Sequence, residues 1–102
     1  MRLEWAGPAL QDIRNLKEYI SKDSEVYAQR FVEKIFDAVE KLRHAPRIGR
    51  RVPEAEDESI RELLFRSYRL IYRLEPERVV MLAVIHGARD LANIDVKPWD
   101  VT

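Results

Sequence analysis

Residues 68–86, YRLIYRLEPERVVMLAVIH, decide the fold. Tyr68, Leu70, Tyr72 and Leu74 alternate with Arg69, Ile71 and Arg73, the period-two pattern of a strand with two unlike faces. Glu75-Pro76-Glu77-Arg78 reads as a turn, because proline cannot donate to a continuing ladder. Val79 to Ile85 is apolar throughout and rich in β-branched residues. Such a run suits a central strand buried on both faces. It ends at His86-Gly87.

Upstream, Ile60 to Phe65 reads as another strand, with Ser67 at a tight turn, so the second half of the chain is a three-stranded meander. Before it stand two helical patterns. Leu10, Ile13, Leu16 and Ile20 mark one apolar face over roughly 8–22, with Pro8 suited to its first turn. Ala28, Phe31, Val32, Ile35, Phe36, Val39 and Leu42 mark a second over about 24–44, capped by Asp23 or Ser24. The link between them is short, so they form an antiparallel hairpin. Arg2-Leu3-Glu4-Trp5 alternates and predicts a short opening strand. The expected fold is α+β in the order β-α-α-β-β-β, one domain over 1–102, with the helical hairpin on one face of an antiparallel sheet. The tail 91–102 is left without an element, although Trp99 should pack back onto the domain.

The 102 residues carry 18 Lys+Arg against 18 Asp+Glu, and no cysteine. Disulfide scaffolds and cysteine-based zinc sites are thereby excluded. Two histidines, His44 and His86, make no metal site, and no glycine-rich phosphate loop or nucleophile elbow is present, so neither metal nor cofactor is expected. No apolar run approaches the roughly 20 residues of a membrane span. The N-terminus does not read as a secretory signal, and a cytoplasmic location is expected. Generic nucleic-acid binders carry a basic excess. At zero formal net charge, any basic surface here must be local.

One local excess stands out. Arg61, Arg66, Arg69 and Arg73 cluster on neighbouring strands against the single acid Glu62. Arginine's planar fork suits phosphate and carboxylate. Alternation places Arg69 and Arg73 on one face, roughly 13 Å apart by strand rise. The face opposite the helices is therefore expected to be an open basic surface, with His86 and Arg89 at its rim. The plainer reading gives these arginines cross-strand acids such as Glu62 or Asp90. The segment 44–59 has no period and splits its charge, with Arg47, Arg50 and Arg51 before Glu54, Glu56, Asp57 and Glu58. Its basic half either meets an anionic surface or pairs within the loop. His86 is a candidate general acid, but a strand-end histidine bonded to nearby backbone is the preferred reading.

Several segments together carry a resemblance. They are Trp5, Ala6, Ala9, Asp12 and Ile13 in W-A-x-x-A-x-x-D-I; P-R-I-G-R from Pro46 to Arg50; I-R-E-L from Ile60 to Leu63; Y-R-L-I-Y-R from Tyr68 to Arg73; and V-I-H-G-A-R-D-L from Val84 to Leu91. In this order and spacing the chain resembles the RelE/ParE superfamily of toxins from type II toxin–antitoxin modules, of the kind tied to plasmid stabilization. The resemblance implies a growth-arresting toxin neutralised by a cognate antitoxin, meeting promoter DNA only through that antitoxin. ParE-like members act on DNA gyrase by binding, without chemistry of their own, and the H-G-A-R ending looks ParE-like. RelE-like members are metal-independent endoribonucleases that cleave mRNA at the ribosome. Under that alternative Arg69 and Arg89 would stabilise the phosphate, His86 would be the acid, and Glu54 or Glu62 the base. No tyrosine follows Arg89, which sets the chain apart from the RelE-like arrangement. The expectation is therefore a ParE-like gyrase inhibitor. Arg47, Arg50, Arg51, Arg61, Arg66 and Arg73 are its candidate partner- or phosphate-binding residues.

Overall fold

The computed structural model describes residues 1–100. It contains β1 (Arg2–Trp5), α1 (Gly7–Ser21), α2 (Glu25–Glu40), a 3₁₀ turn (Lys41–Arg43), β2 (Arg50–Arg51), β3 (Ile60–Phe65), β4 (Tyr68–Leu74) and β5 (Arg78–His86). Two further 3₁₀ turns, Leu91–Asn93 and Pro98–Asp100, form the tail up to residue 100. The last two residues of the expected tail lie outside the described part. No helix is long and apolar enough to cross a membrane among the described residues.

Five strands form one sheet in the order β1-β5-β4-β3-β2. The meander β3-β4-β5 is antiparallel as expected, and α1 and α2 form the hairpin. Two features exceed the sequence reading. Strand β1 pairs in parallel with β5, so the sheet is mixed. The segment 44–59 contributes β2, a two-residue fifth strand opposite Arg61 and Glu62. A pair that short has no period to read.

Strand β5 lies inside the sheet between β1 and β4, and from Val79 to Ile85 it is apolar on both sides, as its composition requires. Val79, Met81 and Val84 face the helices, and Val80, Leu82, Ala83 and Ile85 face away. Consecutive Leu82 and Ala83 share a face because of a β-bulge: Ile71 opposes Ala83 and Tyr72 opposes Met81, leaving Leu82 over. The ladder with β1 ends at Met81. Just beyond, the Val84 N–H donates to the Asp12 carboxylate at 2.9 Å, which pins α1 to the bulged strand. Burial pushes the Asp12 carboxyl up, against the opposing pull of this bond and of Arg89.

The helices bury Ala9, Ile13 and Leu16 from α1, and Phe31, Val32, Ile35 and Val39 from α2, onto Leu70, Tyr72, Val79 and Met81. Ser24 caps α2 by accepting from the Tyr27 N–H at 3.1 Å. On the other side of the sheet the expected open face is absent. Val52 and Ala55 from the long loop, and Leu91, Ile94 and Trp99 from the tail, cover Ile60, Ile71, Val80, Leu82 and Ile85. An all-apolar β5 needs that second cover, because leaving its far side wet would forgo the burial that holds the strand.

The long loop is anchored by one side chain. Tyr72 is fully buried, and its hydroxyl donates to the Pro46 carbonyl at 2.7 Å and accepts from the Gly49 N–H at 3.1 Å. Arg61 donates to the Gly49 carbonyl at 2.9 Å. Gly49 must lack a side chain. A Cβ there would stand 2.5 Å from the Tyr72 hydroxyl oxygen and 2.7 Å from the Glu62 carbonyl oxygen. The segments P-R-I-G-R, I-R-E-L and Y-R-L-I-Y-R thus lock one another. We predict that Gly49→Ala lowers stability by about 1–3 kcal/mol, the usual cost of overpacking. Tyr72→Phe strands a buried N–H and C=O and should cost about 1–3 kcal/mol. Urea denaturation checks both, and a midpoint unchanged in either variant would refute the anchor.

Candidate functional site: the arginine cleft

Far-side positions of β3 and β4 are Ile60, Glu62 and Leu64, and Arg69, Ile71 and Arg73. Glu62 therefore sits beside Arg69 within the sheet face, with Arg50 of β2 directly across from it. The Glu62 carboxylate is wholly buried. It accepts from Arg50 Nε at 2.6 Å and from Arg69 Nε at 2.5 Å. Arg69, also buried, turns its two terminal nitrogens onto Glu54 of the loop at 2.8 and 2.9 Å. Two arginines and two glutamates close a neutral network. The Arg69 guanidinium holds the Glu54 carboxyl below its usual range, and the two carboxylates raise Arg69 further, the Glu54 hydrogen bonds contributing most.

Above this network lies a cleft of about 280 Å³, lined by Arg50, Glu54, Leu64, Arg66, Arg69 and Gly87 among others. Its charge is muted. Arg69 shows little of itself to solvent, and Glu54 and Glu62 offset Arg69 and Arg50. The expected open basic face is thus replaced by a covered sheet with a paired core. The plainer sequence reading, cross-strand pairing to Glu62, describes Arg69.

The other candidates scatter. Arg73 donates to the Trp99 carbonyl at 2.6 Å, fastening the tail. Arg51 is exposed, 3.5 Å from Glu58, and Arg47 is exposed in the loop. Arg61 serves the Gly49 carbonyl. Arg66 occupies the β3–β4 turn. His86 pairs in register with Tyr68, whereas Arg69 pairs with Ile85. Alternation then puts His86 on the helix side of the sheet and Arg69 on the far side. The His86 ring meets Tyr68 edge-on, centroids 5.4 Å apart, and its Nδ1 accepts from the Ala88 N–H at 3.1 Å. Arg89 lies past the strand end, beside Asp12 in a separate hollow of about 150 Å³ walled by Leu82, Ile85 and Leu91. The three residues of the cleavage alternative therefore occupy three places. Glu54 and Glu62, its candidate bases, are the counter-ions of Arg69.

Sequence reasoning gave Asp12 and Tyr72 no task beyond their motif or strand face. An aspartate adjoining the apolar stripe of Ile13 and Leu16 was the signal for Asp12, which the fold half-buries. Nothing local foretold the Tyr72 latch, which joins residues 23–26 positions apart.

Residues 3–91 match the family model described as the ParE toxin of the type II toxin-antitoxin system, parDE. The chain belongs to the ParE toxin family. Among solved structures, a chain titled "Chromosomal ParDE TA system from P. aeruginosa" shares the fold at a TM-score of 0.71 and 22% identity. That likeness covers 84% of this chain and 95% of the other. No individual curated protein matches the chain.

Two predictions test the network. Arg69→Ala leaves Glu54 and the buried Glu62 short of their main cation and should cost about 3–5 kcal/mol, the usual penalty of an orphaned buried charge. Calorimetry measures it, and an unchanged melting temperature would contradict the pairing. The lowered pKa of Glu54 means that the unfolded state binds more protons near its ordinary value of about 4.3. Its contribution is full above that pH and is lost as pH falls through the lower folded value. Glu54→Gln should therefore flatten the acid limb of the stability profile, which urea titrations between pH 3 and 6 would show.

Proposed function

We propose that this ParE-family chain is a toxin that arrests growth by binding DNA gyrase and is neutralised by a cognate antitoxin. Its action is stoichiometric and cytoplasmic, with no covalent step of its own. One observation carries the choice of binding over cleavage: Arg69 is sequestered by Glu54 and Glu62 on the sheet face opposite His86. A phosphate-cleaving site needs its cation and its acid converging on one reacting group. Here the guanidinium is already satisfied and the imidazole lies behind the sheet. Zero net charge points the same way, since phosphate contacts supply much of the affinity for nucleic acid. The exposed Arg47, Arg50 and Arg51 serve as partner contacts under this reading, and promoter DNA is reached only through the antitoxin.

In a supercoiling assay with purified gyrase, the chain should inhibit at near-stoichiometric ratio, and His86→Ala should inhibit equally. Cleavage of mRNA on purified ribosomes, abolished by His86→Ala, would instead establish the RelE-like activity and end the gyrase reading.

A further inference from the structure

Strand β1 is an edge of the sheet, with β5 on one side and no strand on the other. Its even-numbered residues carry the ladder to β5. The Arg2 N–H donates to the Glu77 carbonyl at 3.2 Å, and just past the strand the Ala6 N–H donates to the Met81 carbonyl at 2.9 Å. Backbone groups alternate in direction along a strand, so the N–H and C=O of Leu3 and Trp5 face away from β5. Such an edge accepts another strand unless a bulge, a proline or charge blunts it. Strand β1 has a regular register and no proline, and its charges are one of each sign, Arg2 and Glu4.

These side chains make the edge complementary to itself. Leu3 and Trp5 lean to the helix side, against the core. The Trp5 ring meets that of Phe36 on α2, centroids 4.9 Å apart, yet Phe36 is 38% exposed and Met1 45%. Arg2 and Glu4 take the far side. Arg2 is exposed and closes no ion pair among the described residues. Arg78 binds Oε2 of Glu4 and leaves Oε1 open to a second cation.

Two copies pairing antiparallel along this edge must set odd residues against odd ones, since these carry the outward backbone groups. Leu3 against Leu3 is such a register. It places Arg2 across from the partner's Glu4, twice by symmetry, and Met1 across from the partner's Trp5. Sliding by two residues sets Glu4 against Glu4 in one direction and Arg2 against Arg2 in the other. Opposite charges across a pair stabilise it and like charges destabilise it, so one register is selected.

We propose that β1 pairs with β1 of a second copy of this chain, antiparallel about a two-fold axis at Leu3, so that one sheet runs through both copies. The two Leu3 residues exchange both backbone hydrogen bonds. Each Glu4 then lies between its own Arg78 and the partner's Arg2, and Met1 covers the partner's Trp5 beside Phe36. The contact is isologous and closes at two copies. A foreign strand could meet the same backbone groups, but the order Arg-Leu-Glu matches its own reverse in charge. Strand β2 and its arginines lie at the other edge of the sheet and stay free for other partners. The inference stands apart from the gyrase reading, since it uses only the fold.

Sedimentation equilibrium of the full chain alone tests it. A four-residue edge belongs with the small interfaces, below about 1,200 Å², so dimer should build up with concentration. Arg2→Glu turns both cross-strand pairs into like-charge pairs and should weaken association about tenfold or more. Leu3→Pro deletes an N–H that no bond within the chain uses, so it should keep the fold by circular dichroism and weaken association comparably. Lys17→Glu on α1 should change it less than threefold. Amide exchange at Leu3 and Trp5 should slow as concentration rises. A chain monomeric up to about 1 mM, where even weak specific association shows, would overturn the inference. So would a dimer that Arg2→Glu and Leu3→Pro leave unchanged, because another surface would then hold it.

Discussion

A carboxylate with no exposure to water, Glu62, sits between Arg50 and Arg69 on the far side of the sheet. Burying that charge is costly unless cations and hydrogen bonds surround it. The requirement propagates. Arg69 must stay on β4 beside β3, Arg50 must be brought across as a fifth strand, and Glu54 must fold back to complete the second arginine. The long loop from 44 to 59 is thereby drawn onto the sheet at Glu54 and Arg50, and at Gly49 through Tyr72 and Arg61. An ion network that offers little net stabilisation can still dictate where a periodless segment lies.

That dependence explains what the sequence does and does not disclose. The helices were legible because Ile13, Leu16, Phe31, Val32, Ile35 and Val39 recur at helical spacing on one face. The meander was legible because Tyr68 to Leu74 alternates and Val79 to Ile85 does not. The second cover of β5 follows from its apolar composition, yet the residues that provide it, Val52, Leu91, Ile94 and Trp99, come from segments without a period. Strand β2 is too short to leave a pattern, and the parallel pairing of β1 joins segments more than seventy residues apart.

The site was less legible than the fold. Clustered arginines look alike in a sequence whether they await a phosphate or hold a glutamate. The register decides between these. Glu62 and Arg69 share a face because the β3–β4 turn is two residues long, and His86 falls on the opposite face because Tyr68, its partner across β4, precedes Arg69 by one. A one-residue shift would have reversed that arrangement. The arginines that remain available to partners, Arg47, Arg50, Arg51 and Arg66, belong to the loop, its short edge strand and the tight turn, where binding residues tend to gather on a rigid scaffold.

A ParE-family chain whose central arginine is spent on its own glutamates should act by occupying a target. The most direct measurement is pulse labelling of DNA and protein synthesis, side by side, in cells expressing the chain without an antitoxin. The account predicts that DNA synthesis fails first, and equally with His86→Ala. Collapse of protein synthesis ahead of DNA synthesis would contradict it.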